Sequence, residues 1–185
     1  MVLESLRPFV LAGVGIEKTY HFLFRQRILQ SSLQKEQQFA EEIQRDLKFL
    51  FDEFSGRIVP DDGVKHPQPF DFAFVVVGLD DIRFRFFRGR GEFAVWVAPV
   101  FAPKEWGVLQ WVLSGTDCPE PVDPREFTSL EDIRDLLKPR MAYIRRAFST
   151  EHYPDTRAYL LDMREHERAV ARQWASEINR RLYGK

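Results

Sequence analysis

The chain has 185 residues, 44% of them hydrophobic and 14% aromatic, with 27 basic and 28 acidic residues and a formal charge of −1. That length and apolar content suit one packed core and exclude an intrinsically disordered chain, because seventeen Phe and four Trp can offset the entropy of ordering. The balanced charge excludes a global field directed at nucleic acid or an anionic membrane, so any electrostatic partner must be recognised locally.

Cys118 is the only cysteine, which rules out an intrachain disulfide framework and a zinc site built on several thiolates. The N-terminal stretch "MVLESLRPFVLAGVGIEK" carries Glu4 and a short apolar run from Pro8 to Ile16, without a cleavage pattern. No signal peptide is read from it. No uncharged run is longer than that from Phe93 to Pro103, far shorter than the ~20 residues of a membrane span. The expected location is the cytoplasm.

From about Glu17 to Phe54 the pattern predicts a long N-terminal helix, with Phe39, Ile43, Leu47, Leu50, Phe51 and Phe54 on one face. An upstream stretch with Phe22, Phe24, Ile28, Leu29 and Leu33 either continues it or forms a separate helix. Gly56 is a candidate C-terminal cap, and "VPDDGVKHPQP" from Val59 to Pro69 reads as a loop.

The following "FDFAFVVVGLDDIRFRFFRGRGEFAVWVAP" predicts three strands in an antiparallel meander. A hairpin loop of Gly89 and Arg90, or of Arg88 to Gly91, pairs Phe86 with Phe93, Phe84 with Val95 and Ile82 with Val97. One face is then apolar. On the other, Arg83 faces Trp96, Arg85 faces Ala94 and Phe87 faces Glu92. The strand Phe70 to Val77 is apolar on both faces, and its turn does not fix which set joins the core.

"PKEWGVLQWVLSGT" predicts a short helix from near Pro103 to Gly115, and "DCPEPVDP" a loop. Thr128 and Glu131 form a capping-box pattern opening a helix to about Phe148, kinked at Pro139. Asp155 caps a final helix to about Tyr183, with a stripe of Leu160, Met163, Val170, Trp174, Ile178 and Leu182 interrupted by Glu167. At roughly 40 Å it is long enough to leave a small core or join a partner's helix.

The expected architecture is a single α+β domain over 1–185: helical over 1–56, a three-stranded antiparallel meander over 70–100, and three helices over 103–185 packed on the sheet.

Arg83, Arg85, Phe87, Arg88, Arg90 and Trp96 form the candidate binding surface. Such a basic and aromatic hairpin could stack a base and pair phosphates. Its segment from Asp80 to Pro99 nets only +1, which speaks against nucleic acid and for an acidic protein surface. A structural hairpin is the plainer alternative, with Arg83 on Trp96 and the other arginines paired to Asp80, Asp81 and Glu92.

His21, His66, His152 and His166 are scattered, so no metal site is read from them. Asp80 and Asp81 suit a turn, Cys118 carries no local nucleophile signature, and "GRGEF" leads into a strand rather than a phosphate-binding helix. No cofactor is implied. The two long helices allow a homodimer that shares their apolar stripes.

The succession of an amphipathic helix, an apolar strand, an arginine-bearing strand entering "RGRGEF" and a third strand before "WGVLQWVL" resembles small uncharacterised bacterial α+β proteins. Some of that group act as immunity partners that neutralise a cognate toxin. The resemblance covers roughly residues 40 to 115 and carries over no functional residue. The leading expectation is a non-enzymatic protein-binding module, immunity-like or regulatory. The alternatives are nucleic-acid binding through the hairpin and an enzyme without a recognisable motif.

Overall fold

The structure, a computed structural model, describes residues 31, 33–61, 72–115, 118 and 127–184. The expected helix upstream of residue 31, most of the 59–69 loop, most of the 117–124 loop, His21 and His66 lie outside these residues.

The long N-terminal helix gives way to two shorter pieces among the described residues. Helix α1 runs over 33–46 and α2 over Lys48–Asp52, with Leu47 between them at φ −107° and ψ 34°. Leu50 N donates to Leu47 O at 2.9 Å, an i to i+3 bond that tightens the break. The cause is packing. Phe39, Ile43 and Leu47 bury on one stripe, and the break turns both Phe49 and Leu50 into the core where an unbroken helix would favour Phe51. Ser55, at φ 54°, takes the left-handed position expected of Gly56.

The sheet corrects the three-stranded expectation. Among the described residues it has five strands in the order β1 (Arg57–Val59), β2 (Phe72–Gly78), β3 (Ile82–Gly89), β4 (Glu92–Pro99) and β5 (Gly107–Val108). Every neighbouring pair is antiparallel. The two added strands are edges of three and two residues, too short for alternation to reveal them. Trp106 and Gly107, expected inside a helix, instead precede and enter β5, and helix α3 spans only Leu109–Ser114.

The hairpin register also differs by two residues. Phe86 pairs with Val95, Phe84 with Val97, Ile82 with Pro99 and Arg85 with Trp96. The loop is Arg90 and Gly91, at φ 51° and 84°, the pair of positive values that a two-residue type I′ hairpin requires. A shift of two preserves the faces because side chains alternate with period two.

One face carries Ala73, Val75 and Val77 from β2, Phe84 and Phe86 from β3, and Val95 and Val97 from β4. All join a single apolar cluster with Phe39, Ile43, Leu109, Leu113, Ile133 and Ile144 from the helices. Full burial of Phe84 and Phe86 is worth about 2–3 kcal/mol each relative to exposure. Val76 and Ala98 are buried too, but on the opposite face and outside this cluster.

The remaining helices close the core side. Helix α4 (Leu130–Leu137) is capped by Ser129, whose Oγ accepts from Asp132 N at 3.0 Å, while Thr128 N and Oγ1 donate back to Asp132 at 3.1 and 2.7 Å. The reciprocal cap is therefore Ser129 with Asp132, one residue beyond the expected pair, and these donors hold the Asp132 carboxyl below its ordinary value. Pro139 sits in a 3-10 turn, Lys138–Arg140, that joins α4 to α5 (Met141–Ala147). Helix α6 covers Tyr153–Tyr183, 31 residues and about 46 Å, with His152 rather than Asp155 at its N-cap position.

Candidate functional site

Strand alternation divides the sequence-predicted site. Arg83, Arg85 and Phe87 point to the outer face of the sheet, where the register adds Trp96 from β4 and Phe72, Phe74 and Val76 from β2. Arg88 lies on the other face with Phe86, and Arg90 is in the turn. The six residues therefore do not form one surface.

The arginines are engaged within the chain. Arg85 pairs with Asp61, their side chains only 14% and 15% exposed, and its guanidinium lies 4.3 Å over the Trp106 ring. Arg83 Nη2 donates to Pro60 O at 3.1 Å. Arg88 pairs with Glu42 of α1 and lies 4.6 Å over Phe39, tying that helix to the sheet. Arg90 approaches the Phe72 ring at 6.0 Å. These contacts to Pro60, Asp61 and Glu42 differ from the expected hairpin partners Asp80, Asp81 and Glu92. Asp81 instead accepts from Arg145 Nε at 2.6 Å.

Near the Arg85 and Asp61 pair, burial and the Asp61 carboxylate both push the Glu36 carboxyl above its ordinary value. The ion pair thus occupies a partly dry environment already rich in negative charge. It is built to hold the segment after β1 on the sheet, and a phosphate would have to displace Asp61 to reach Arg85.

The same face carries an aromatic row. Phe87 is its centre, with ring centroids 5.4 Å from Phe72, 5.0 Å from Phe74 and 6.2 Å from Trp96. Gly89 permits the closeness: a Cβ there would lie 2.2 Å from the Phe72 ring. Sequence reasoning found Phe87 and Trp96 but missed Phe72, Phe74 and Trp106. Phe72 and Phe74 could have been found by choosing the β2 face through the alternation of Arg83 and Arg85.

A cavity of about 240 Å³ lies between α3, α5 and the start of α6, with Tyr143, Arg146, His152, Asp155 and Tyr159 in its wall. Its two phenols serve helix packing: Tyr143 Oη donates to Val112 O at 3.2 Å, and Tyr159 Oη lies 3.2 Å from Ser114 Oγ. Arg146, His152 and Asp155 are exposed at the rim. Cys118 is buried in the core cluster, away from any role as an exposed nucleophile. Among the described residues, no three His, Cys, Asp or Glu side chains converge to hold a metal ion, and no helix is long and apolar enough to cross a membrane.

Among the described residues, helix α6 carries half or more of the exposed large apolar side chains: Leu161, Val170, Trp174, Ile178, Leu182 and Tyr183. Its first turns are anchored: Tyr153 and Leu160 are buried, Glu105 accepts from Tyr153 Oη at 2.9 Å and from Arg157 Nε at 2.6 Å, and Thr156 Oγ1 donates to Ala147 O at 2.7 Å. The Arg157 and Tyr153 donors hold the Glu105 carboxyl below its ordinary value, while burial and that carboxylate raise the Tyr153 phenol. Among the described residues, the last α6 side chain bonded to the body is Arg164, through Trp106 O at 3.1 Å.

Beyond Arg164 the apolar stripe continues without cover. Val170, Trp174, Ile178 and Leu182 are 48%, 69%, 42% and 68% exposed. Spaced by four, they follow the face that buries Leu160 and partly covers Met163 nearer the body. Sequence periodicity located this stripe but assigned no boundary between its covered and uncovered parts. No protein-family model, curated protein or solved structure matches the chain.

Proposed function

We propose that the chain is a non-enzymatic protein-binding module whose docking element is the projecting half of α6. The observation that carries this reading is the uncovered run Val170, Trp174, Ile178 and Leu182 on a helix whose first half is fixed to the body. A helix of under twenty residues standing alone in water is only marginally stable, and an exposed Trp at its centre adds apolar area that a partner would remove from water. Helix-in-groove or helix-on-helix docking uses anchors at this spacing.

The engagement of Arg83, Arg85 and Arg88 with Pro60, Asp61 and Glu42 argues against nucleic acid as the ligand of the hairpin. It equally means that an acidic protein would have to compete with Asp61 and Glu42. An immunity-like or regulatory role rests on the pattern resemblance alone.

The test compares partners retained by the wild-type chain with those retained by Trp174→Glu and by Arg83→Ala. Selective loss with Trp174→Glu supports docking through α6. Loss only with Arg83→Ala moves the surface to the sheet and removes α6 from the proposal.

A further inference from the structure

We infer that the projecting half of α6 pairs with the same helix of a second copy, antiparallel and centred on Trp174. This deepens the docking reading above and rests on it.

From Glu167 to Arg181 the helix is symmetric about Trp174 in its stripe residues, apolar at Val170 and Ile178, and opposite in charge at its two ends, while Leu182 falls opposite His166 of the second copy. Val170 and Ile178 stand four residues to either side, and Glu167 and Arg181 seven residues to either side. With 3.6 residues per turn, both charged positions fall on the same side of the helix as the stripe. A two-fold axis through Trp174 therefore sets Val170 against the partner's Ile178, Trp174 against the partner's Trp174, and Glu167 against the partner's Arg181. The Val170 and Glu167 pairings each occur twice, and the Trp174 contact once on the axis.

A parallel arrangement would oppose Glu167 to its own copy and Arg181 to its own copy, placing like charges together at both ends. The helix dipoles would also align rather than cancel. Glu167 has no ion-pair partner among the described residues, while Arg181 reaches back to Glu177 at 2.6 Å in an exposed contact that can be exchanged. Ala171 and Ala175 flank Trp174 and leave room for the second indole.

Geometry allows the approach. Glu167 to Arg181 is about 21 Å of helix, and all of it lies beyond Arg164, the last α6 residue whose side chain bonds to the body among the described residues. An antiparallel partner places its own body at the far end of the helix. A seam of this length is smaller than a standard interface, so the association is weak and concentration-dependent.

The experiment is sedimentation equilibrium on the full chain and on charge-reversed variants. The wild type should show a concentration-dependent monomer and dimer. Glu167→Arg alone and Arg181→Glu alone should each weaken association about tenfold by creating like-charge pairs. The double reversal should restore it. Trp174→Glu should give a monomer with unchanged thermal unfolding of the body, separating loss of pairing from loss of folding.

Orientation is read from cysteine cross-linking. Trp174→Cys, on the axis, should form a disulfide with its own copy, and Glu167→Cys should not. Self-cross-linking of Glu167→Cys, a double reversal as weak as the single ones, or a monomer at every concentration would overturn the inference. If the chain is monomeric while Trp174→Glu still loses a different bound protein, self-pairing fails and the docking reading stands.

Discussion

The two halves of α6 share one helix and one apolar stripe but not one environment. Tyr153 and Leu160 are buried beside the Glu105, Arg157 and Thr156 bonds, whereas Val170, Trp174, Ile178 and Leu182 face solvent. The contrast teaches that periodicity defines which side of a helix seeks an apolar neighbour without saying whether that neighbour belongs to the same chain. It also separates the residues that hold the domain from those that face solvent.

The largest expected effect is Leu160→Ala, which should destabilise the chain by about 3 kcal/mol in urea unfolding, because the buried side chain leaves a cavity beside Gly107. The equivalent Ile178→Ala in the outer half should change monomer stability by less than about 0.5 kcal/mol. Similar losses at both positions in a monomeric sample would erase the distinction.

Arg85→Ala should cost about 2–3 kcal/mol by leaving Asp61 charged in a partly dry site. Adding Asp61→Asn should recover part of that loss. A neutral effect of Arg85→Ala would free the arginine for a binding role and shift attention from α6 to the sheet.

A smaller effect is expected at Glu36, whose folded pKa is raised by burial and by Asp61. A carboxyl raised on folding contributes most below its unfolded pKa, and that contribution is lost as pH rises through the folded value. Glu36→Gln should therefore raise the melting temperature modestly at neutral pH, with the gain vanishing in acid. A uniform change across pH would exclude the electrostatic cause.

Part of this organisation was legible in the sequence. The α+β class, the apolar face of β3 and the α6 stripe follow from residue alternation that survives small shifts, whereas the long N-terminal helix and the three-stranded meander do not stand. The hairpin pairing did not, because Arg90 occupies a left-handed position usually given to Gly, Asn or Asp, and the loop was placed one residue early. The edges β1 and β5 are too short to carry a period. The helix break at Leu47 depends on the sheet that Phe49 and Leu50 meet, a tertiary cause without a local breaker such as Gly or Pro.

For the candidate site, composition marked the arginines but could not show that Pro60, Asp61 and Glu42 engage them. Those partners are 23 to 46 residues away. Trp106 over Arg85 is likewise a long-range contact. The α6 stripe was visible as hydrophobic spacing, and its exposure became visible only where, among the described residues, the bonds to the body end near Arg164.

The most direct measurement is amide hydrogen exchange along α6 as a function of protein concentration. At low concentration, protection should extend from Tyr153 to near Arg164 and fall away through Val170 to Leu182. At high concentration it should spread across Trp174 while the first half stays unchanged. An outer half that remains unprotected at every concentration and in the presence of any retained partner, or one as protected as the inner half even at the greatest dilution, would contradict a docking role for the projecting helix.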